Sequence, residues 1–179
     1  MWTFKKYGHI DISPIKQLLD EDDWDNEYTK KRVDEYKEIH QHTKVIPLQW
    51  SYDNLSAHQD EAAPWTEYRD KYYDPIPAFF DDLLDTIDPD MGGYPIRIIL
   101  AMLKSGGVIQ THTDAGPSLQ MNARIHIPII THRDCLFNVG NEWRHIPEGH
   151  VYRINNNDNH GVKNNSDIDR VHLIVDYHF

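Results

Sequence analysis

Cysteine is nearly absent: Cys135 is the single thiol among 179 residues, so neither an internal disulfide nor a multi-thiolate zinc site can form, and a reducing compartment is expected. No apolar run approaches the roughly 20 residues needed to span a bilayer. The opening MWTFKKYGHIDI lacks the apolar core and small-residue cleavage site of a signal peptide. Together these absences predict a cytoplasmic protein with no membrane partner. There is no internal repeat, low-complexity tract or independent linker, and the length suits one core, so residues 1–179 are read as a single domain. Basic charge is scarce as well. The net charge is -11, and residues 1–90 carry 10 Lys+Arg against 21 Asp+Glu, whereas residues 91–179 carry 8 against 8. A field of that sign repels phosphate backbones and argues against a nucleic-acid partner. Aromatic surface is plentiful, with five Trp, ten Tyr and five Phe, which requires a packed interior.

The two halves differ in texture. In residues 1–90, Asp11-Ile12-Ser13-Pro14 reads as a helix start leading into Ile15, Leu18 and Leu19. Residues 25–42 are charged, with Val33, Tyr36 and Ile39 at helical spacing, and read as a solvated helix or an excursion. Lys44 to Tyr52 alternates, placing Ile46, Leu48, Trp50 and Tyr52 on one face of a strand that tolerates Pro47. Pro75 to Ile87 has the pattern of an amphipathic helix built on Phe79, Phe80, Leu83, Leu84 and Ile87. From residue 91 onward short strands follow one another: 94–103, 107–112, 123–130, 135–139, 149–154 and 170–177, with 161–163 a weaker one. That spacing predicts a mainly β fold, a sandwich or barrel, with the helical and mixed first half packed against it.

His-x-Asp pairs occur four times, where 12 His and 21 Asp in 179 residues supply about 1.4 by chance. Context selects among them. A metal that keeps positions open for substrate and oxygen suits two imidazoles and one carboxylate on one face, and residues i and i+2 of an extended chain project to the same side. His112 and Asp114 end the strand Gly-Val-Ile-Gln-Thr-His; His160 follows the turn-like Asn155-Asn156-Asn157-Asp158-Asn159, and Arg170 stands ten residues later. By contrast, His9/Asp11 sits at a helix start, His58/Asp60 lies in a polar segment before the β region, and His132/Asp134 reads as a turn. His112, Asp114 and His160 are therefore the expected metal ligands and catalytic centre. Arg124, His126 and Pro128 share one strand face while Ile125, Ile127 and Ile129 share the other; Arg170, His172 and Ile174 oppose Val171, Leu173 and Val175 in the same way.

With these residues in place, the stretch from about 94 to 179 resembles the aspartyl/asparaginyl β-hydroxylase family of Fe(II)/2-oxoglutarate-dependent oxygenases. The matching pieces are Arg124-Ile125-His126-Ile127-Pro128, Cys135 followed by Val139-Gly140-Asn141-Glu142-Trp143, Pro147-Glu148-Gly149, His160-Gly161-Val162 and Arg170 through Asp176. The resemblance implies a double-stranded β-helix (jelly roll, cupin-like) core over residues 91–179. It also implies Fe(II) as cofactor, 2-oxoglutarate and O2 as co-substrates, and C–H hydroxylation coupled to conversion of 2-oxoglutarate to succinate. Arg124 and His126 match the residues that hold the metal-binding end of 2-oxoglutarate, and Arg170 matches the partner of its far carboxylate. Animal members have glycine where Asp114 stands. A complete triad is more similar to the small bacterial members that hydroxylate free proline, and it argues against halogenation.

Trp50, Tyr52, Arg97 and His172 are candidate substrate-binding residues; their structural alternatives are core packing for Trp50, rim packing for Tyr52 and an ion pair for Arg97. A free amino acid or similar small molecule is the expected substrate, with a peptidyl Asp or Asn as the second reading. A cupin-like metalloenzyme without 2-oxoglutarate, or a metabolite-binding protein, would leave Arg170 and Arg124-x-His126 without a role.

Overall fold

Alternating polarity along the chain gives each strand one face for an interior and one for a helical cover, and the fold uses both. The computed structural model describes residues 2–51, 61–114 and 116–179. Among them, ten strands form two antiparallel sheets: β1 Phe4–His9, β2 Thr43–Gln49, β3 Tyr94–Leu103, β4 Val108–His112, β5 Ala123–Ile130, β6 Cys135–Val139, β7 Glu142–Arg144, β8 His150–Ile154, β9 His160–Asn164 and β10 Arg170–His178. The larger sheet runs β1-β8-β5-β10-β3-β2 and the smaller β4-β9-β6-β7. Apart from the β6–β7 hairpin, strands β3 to β10 wind alternately between two facing sheets, the double-stranded β-helix.

The helices are α1 Ser13–Leu18, α2 Glu27–Glu35, α3 Lys37–His40, α4 Arg69–Tyr72, α5 Pro77–Ile87 and α6 Pro117–Met121. Ile15 of α1, Tyr72 of α4 and Phe79, Phe80, Leu83 and Ile87 of α5 bury the outer face of the larger sheet. The strands answer with Ile46, Leu48, Ile98, Leu100, Ile125, Ile127, Leu173 and Val175. Burial of this apolar layer is the main stabilising term. A second cluster, built from Leu103, Phe137, Val139, Tyr152, Ile154 and Val162, fills one end of the space between the sheets.

The first half is more than a helical cover, because β1 and β2 form the two edges of the larger sheet. Strand β2 also departs from the simple alternation. A bulge between Pro47 and Gln49 shifts the parity by one residue. Ile46 and Leu48 therefore join the outer core, while Trp50 packs with Val45, Ile99 and Ala101 on the inner side. Tyr52, expected on the same face as Trp50, lies outside the described residues. No helix of the described residues is long and apolar enough to cross a membrane.

Candidate metal centre

The ladder between β4 and β9 places His112 directly opposite His160, so the two imidazoles meet through strand register. Gly161 allows this approach: a Cβ there would lie 2.9 Å from the Ile109 carbonyl oxygen and 3.3 Å from the Thr111 backbone. The rings stand 4.5 Å apart between centroids. Asp114, two residues beyond the end of β4, brings its Oδ1 to 3.6 Å from His160 Nε2 and 3.9 Å from His112 Nε2. One ligand atom from each of the three side chains lies within 4.8 Å of the others. The second ring nitrogens are engaged elsewhere: Nδ1 of His112 lies 2.7 Å from the Gln110 carbonyl oxygen and Nδ1 of His160 lies 3.0 Å from that of Asp158. A carbonyl can only accept, so each Nδ1 carries a proton, which leaves Nε2 as the ring nitrogen placed to bind a metal at the common point.

Charge is arranged to keep the carboxylate ionised. Burial alone would push the Asp114 carboxyl up, but Arg124 and the two imidazoles outweigh it and hold it below the usual carboxylate range. Burial also lowers His112, favouring its neutral form. A neutral imidazole pair with an ionised carboxylate is the donor set a ferrous ion takes, with further positions left open.

From the triad a polar stripe runs inward along the facing sides of β5 and β10, where register pairs Asp176 with Arg124 and Ile174 with His126. Arg124 donates to Asp176 through Nε at 2.8 Å and Nη2 at 3.0 Å, and its Nη1 lies 3.0 Å from Asp114 Oδ2. His126 is buried, with Nε2 lacking a hydrogen-bond partner among the described residues. His172 lies between: its Nδ1 accepts from Arg170 Nη2 at 2.6 Å and stands 3.4 Å from His126 Nδ1. Burial first, then the Arg170 charge, holds both imidazoles well below their ordinary range.

Arg170 is 3% exposed, and no described carboxylate forms an ion pair with it. Burial pulls it down to about 10. It sits over the Phe137 ring, 5.6 Å from the centroid, beside a cavity of about 10 Å³. That is roughly the space of one water, so a dicarboxylate entering here has to displace side chains. The residues nonetheless suit such an anion: a buried cation without a counter-ion and an imidazole nitrogen without a partner.

Outside the triad lies a cavity of about 190 Å³. His112, Asp114 and Arg124 form part of its wall; Val45, Pro47, Trp50, Ile99 and Leu119 supply apolar surface, and Arg32, Glu35, Tyr36, Ile39 and His40 of the α2–α3 segment line another side. Of the substrate candidates, Trp50 lines this cavity, His172 belongs to the inner stripe, and Arg97 is buried behind Trp50. Its guanidinium carbon lies 5.9 Å from the Trp50 ring centroid. Arg97 donates to Asp176 through Nε at 2.9 Å and to Ser118 Oγ through Nη1 at 3.0 Å.

Sequence reasoning missed Asp176 as the arginine partner, although its parity with Arg170, His172 and Ile174 marked it for the polar face. It also missed His40, whose ring packs edge-on to His112 at 6.3 Å and which burial lowers to about 2. No local pattern marked that residue. Of the rival pairs, His132 and Asp134 flank a turn in which the Asp134 N–H donates to His132 Nδ1 at 3.2 Å. His58 and Asp60 lie outside the described residues.

A double-stranded β-helix carrying two histidines and an aspartate at its open end defines the class of the non-haem metal oxygenases and their cupin-like relatives. Within that class, a family model described as aspartyl/asparaginyl beta-hydroxylase matches residues 26–178, and the chain belongs to that family. It is accordingly an enzyme of the Fe(II)/2-oxoglutarate oxygenase type. Solved structures share the fold. An oxidoreductase of the 2OG-Fe(II) oxygenase family from Burkholderia pseudomallei aligns with TM-score 0.54 at 12% identity, over 75% of this chain and 67% of that one. The non-heme monooxygenase ThoJ, in a nickel complex, aligns with TM-score 0.54 at 13% identity, over 98% of this chain and 73% of that one. Among curated proteins no sequence gives a significant match.

Proposed function

We propose that the chain is a hydroxylase that holds Fe(II) with His112, Asp114 and His160, binds 2-oxoglutarate along the inner polar stripe, and oxidises a C–H bond of a free amino acid or similar small molecule. The observation that carries this reading is the meeting of the three ligand atoms at the wall of the larger cavity, with the uncompensated Arg170 buried further in. Iron and 2-oxoglutarate, with O2, supply the oxidising chemistry when bound.

The chain's own residues bind, orient and exclude water. Arg170 offers a planar fork to the far carboxylate of the co-substrate, steadied by His172. His126 and Arg124 stand at the metal-binding end. Trp50 is assigned to the substrate side; Arg97, buried behind it and held by Asp176 and Ser118, takes the ion-pair role, and Tyr52 lies outside the described residues.

A small substrate is favoured by the size of the cavity, about 190 Å³, below the range typical of drug-sized ligands. Arg32 and Glu35 bring both signs of charge to its lip, which suits a zwitterion. The test is an anaerobic and an aerobic measurement on the metal-loaded protein. Fe(II) plus 2-oxoglutarate is expected to give a weak visible charge-transfer absorption that His112→Ala lacks. A panel of free L-amino acids should then stimulate succinate release in air. Stimulation only by Asp- or Asn-containing peptides would overturn the small-molecule assignment, and an absorption indifferent to His112 would overturn the metal centre.

A further inference from the structure

The carboxylate of the triad is the last member of a chain of alternating charge, buried except for the half-buried Arg124: Arg97, Asp176, Arg124, Asp114. Asp176 Oδ2 accepts from Arg97 Nε at 2.9 Å and from Arg124 Nη2 at 3.0 Å, while Oδ1 accepts from Arg124 Nε at 2.8 Å. Two parallel bonds fix the plane of the Arg124 guanidinium. Its remaining nitrogen, Nη1, then falls 3.0 Å from Asp114 Oδ2. The other oxygen, Oδ1, is the one that faces His160 Nε2 and His112 Nε2. The two oxygens of Asp114 are therefore divided between a guanidinium and the open point between the imidazoles. Two nitrogens of Arg124 are thus hydrogen-bonded to Asp176, while Nη1 meets Asp114 Oδ2 as an ion pair without a hydrogen bond to that oxygen.

We propose that Arg124, pinned by Asp176, is the positioning residue of the metal-binding carboxylate, so that its first effect in this chain is on metal affinity and its effect on 2-oxoglutarate is secondary. The inference rests on the reading that His112, Asp114 and His160 hold a divalent ion. It gives Arg124 a role different from the one the family resemblance implied, and the reason is local: a carboxylate stands at residue 114 for the arginine to orient. Outer partners of metal ligands typically change metal affinity about 10- to 100-fold when lost. A purely fold-stabilising network would change unfolding without changing metal affinity.

The experiment titrates metal-free protein with Co(II), followed by visible absorption, for the unaltered chain, Asp176→Asn, Arg124→Lys and His112→Ala. Asp176→Asn keeps the shape of the side chain but loses its charge; Arg124→Lys keeps the charge but loses the fork. Both are expected to raise the Co(II) dissociation constant about 10- to 100-fold. Their affinity for 2-oxoglutarate, measured at saturating Co(II), should fall by a smaller factor. Circular dichroism verifies folding, and should Asp176→Asn unfold, Arg124→Lys carries the same comparison. Unchanged Co(II) affinity in the folded variants overturns the inference while leaving the metal centre standing. Co(II) affinity unchanged in His112→Ala overturns the centre itself, and the inference with it.

Discussion

Two arginines, one half-buried and one buried, mark the ends of the polar stripe, and the protein compensates their charges in opposite ways. At the metal end Arg124 is flanked by Asp176 and Asp114, and these carboxylates outweigh burial and push its ionisation above the ordinary range. At the inner end Arg170 has a ring nitrogen and an aromatic face for neighbours, and burial pulls it down. A buried charge paired at both sides is part of the frame. A buried charge left without a counter-ion costs stability unless a ligand supplies one, which is how a binding site differs from a strut made of the same residue.

The largest break in that comparison comes from the metal end. His160→Ala is expected to abolish Co(II) binding and substrate-stimulated succinate release, while Arg170→Met leaves Co(II) binding intact; equal metal binding by both variants would dissolve the distinction. Next come the arginines themselves. Arg124→Met leaves Asp114 without its guanidinium and Asp176 with Arg97 alone, and should destabilise the ligand-free protein by up to about 3–5 kcal/mol. Arg170→Met removes an uncompensated cation and should leave urea unfolding unchanged or shift it to higher denaturant. The same Arg170→Met should weaken 2-oxoglutarate binding by about 2–5 kcal/mol, at least roughly 30-fold, read from the absorption titration. A loss of stability in Arg170→Met as large as that in Arg124→Met would show both arginines to be struts.

The smallest effect is in pH. His126 and His172 are held neutral in the fold, whereas in the unfolded chain each takes a proton below about pH 6.5. The unfolded state then binds more protons, so stability present above that pH is lost as pH falls toward the lowered folded values. The slope is about 1.4 kcal/mol per pH unit for each imidazole. His40 and His112, lowered by burial as well, add to the same fall; unfolding free energies from urea melts should decline with pH accordingly, and His172→Phe should flatten the decline by one imidazole's share.

Much of this was legible in the chain. The alternation Arg124-Ile125-His126-Ile127 assigned the two faces of β5 correctly, because strand parity is local and needs no partner. The triad was legible because a His-x-Asp at a strand end and a histidine after a turn are local signals, and their spacing could be matched to an ordered set of motifs. What escaped depended on register or on irregular backbone. Asp176 is 52 residues from Arg124 and meets it only through the pairing of β5 with β10. Strand β1 was unread because Phe4–His9 is an edge whose pairing with β8 is interrupted between Lys6 and Gly8, which blurs its period. Trp50 was placed on the wrong face by a parity count that the bulge between Pro47 and Gln49 resets. The wall formed by Arg32, Glu35 and His40 was invisible because its residues look like those of any solvated helix until the barrel is set beside them.

That wall belongs to residues 27–40, a stretch apart from the strands that carry His112, His160 and the arginines of the inner stripe. One part of the cavity lining is thus encoded apart from the triad, while Val45, Pro47, Trp50 and Ile99 of the larger sheet's side join the two. Drift within the short α2–α3 passage can reshape that part of the lining without altering the residues of the triad.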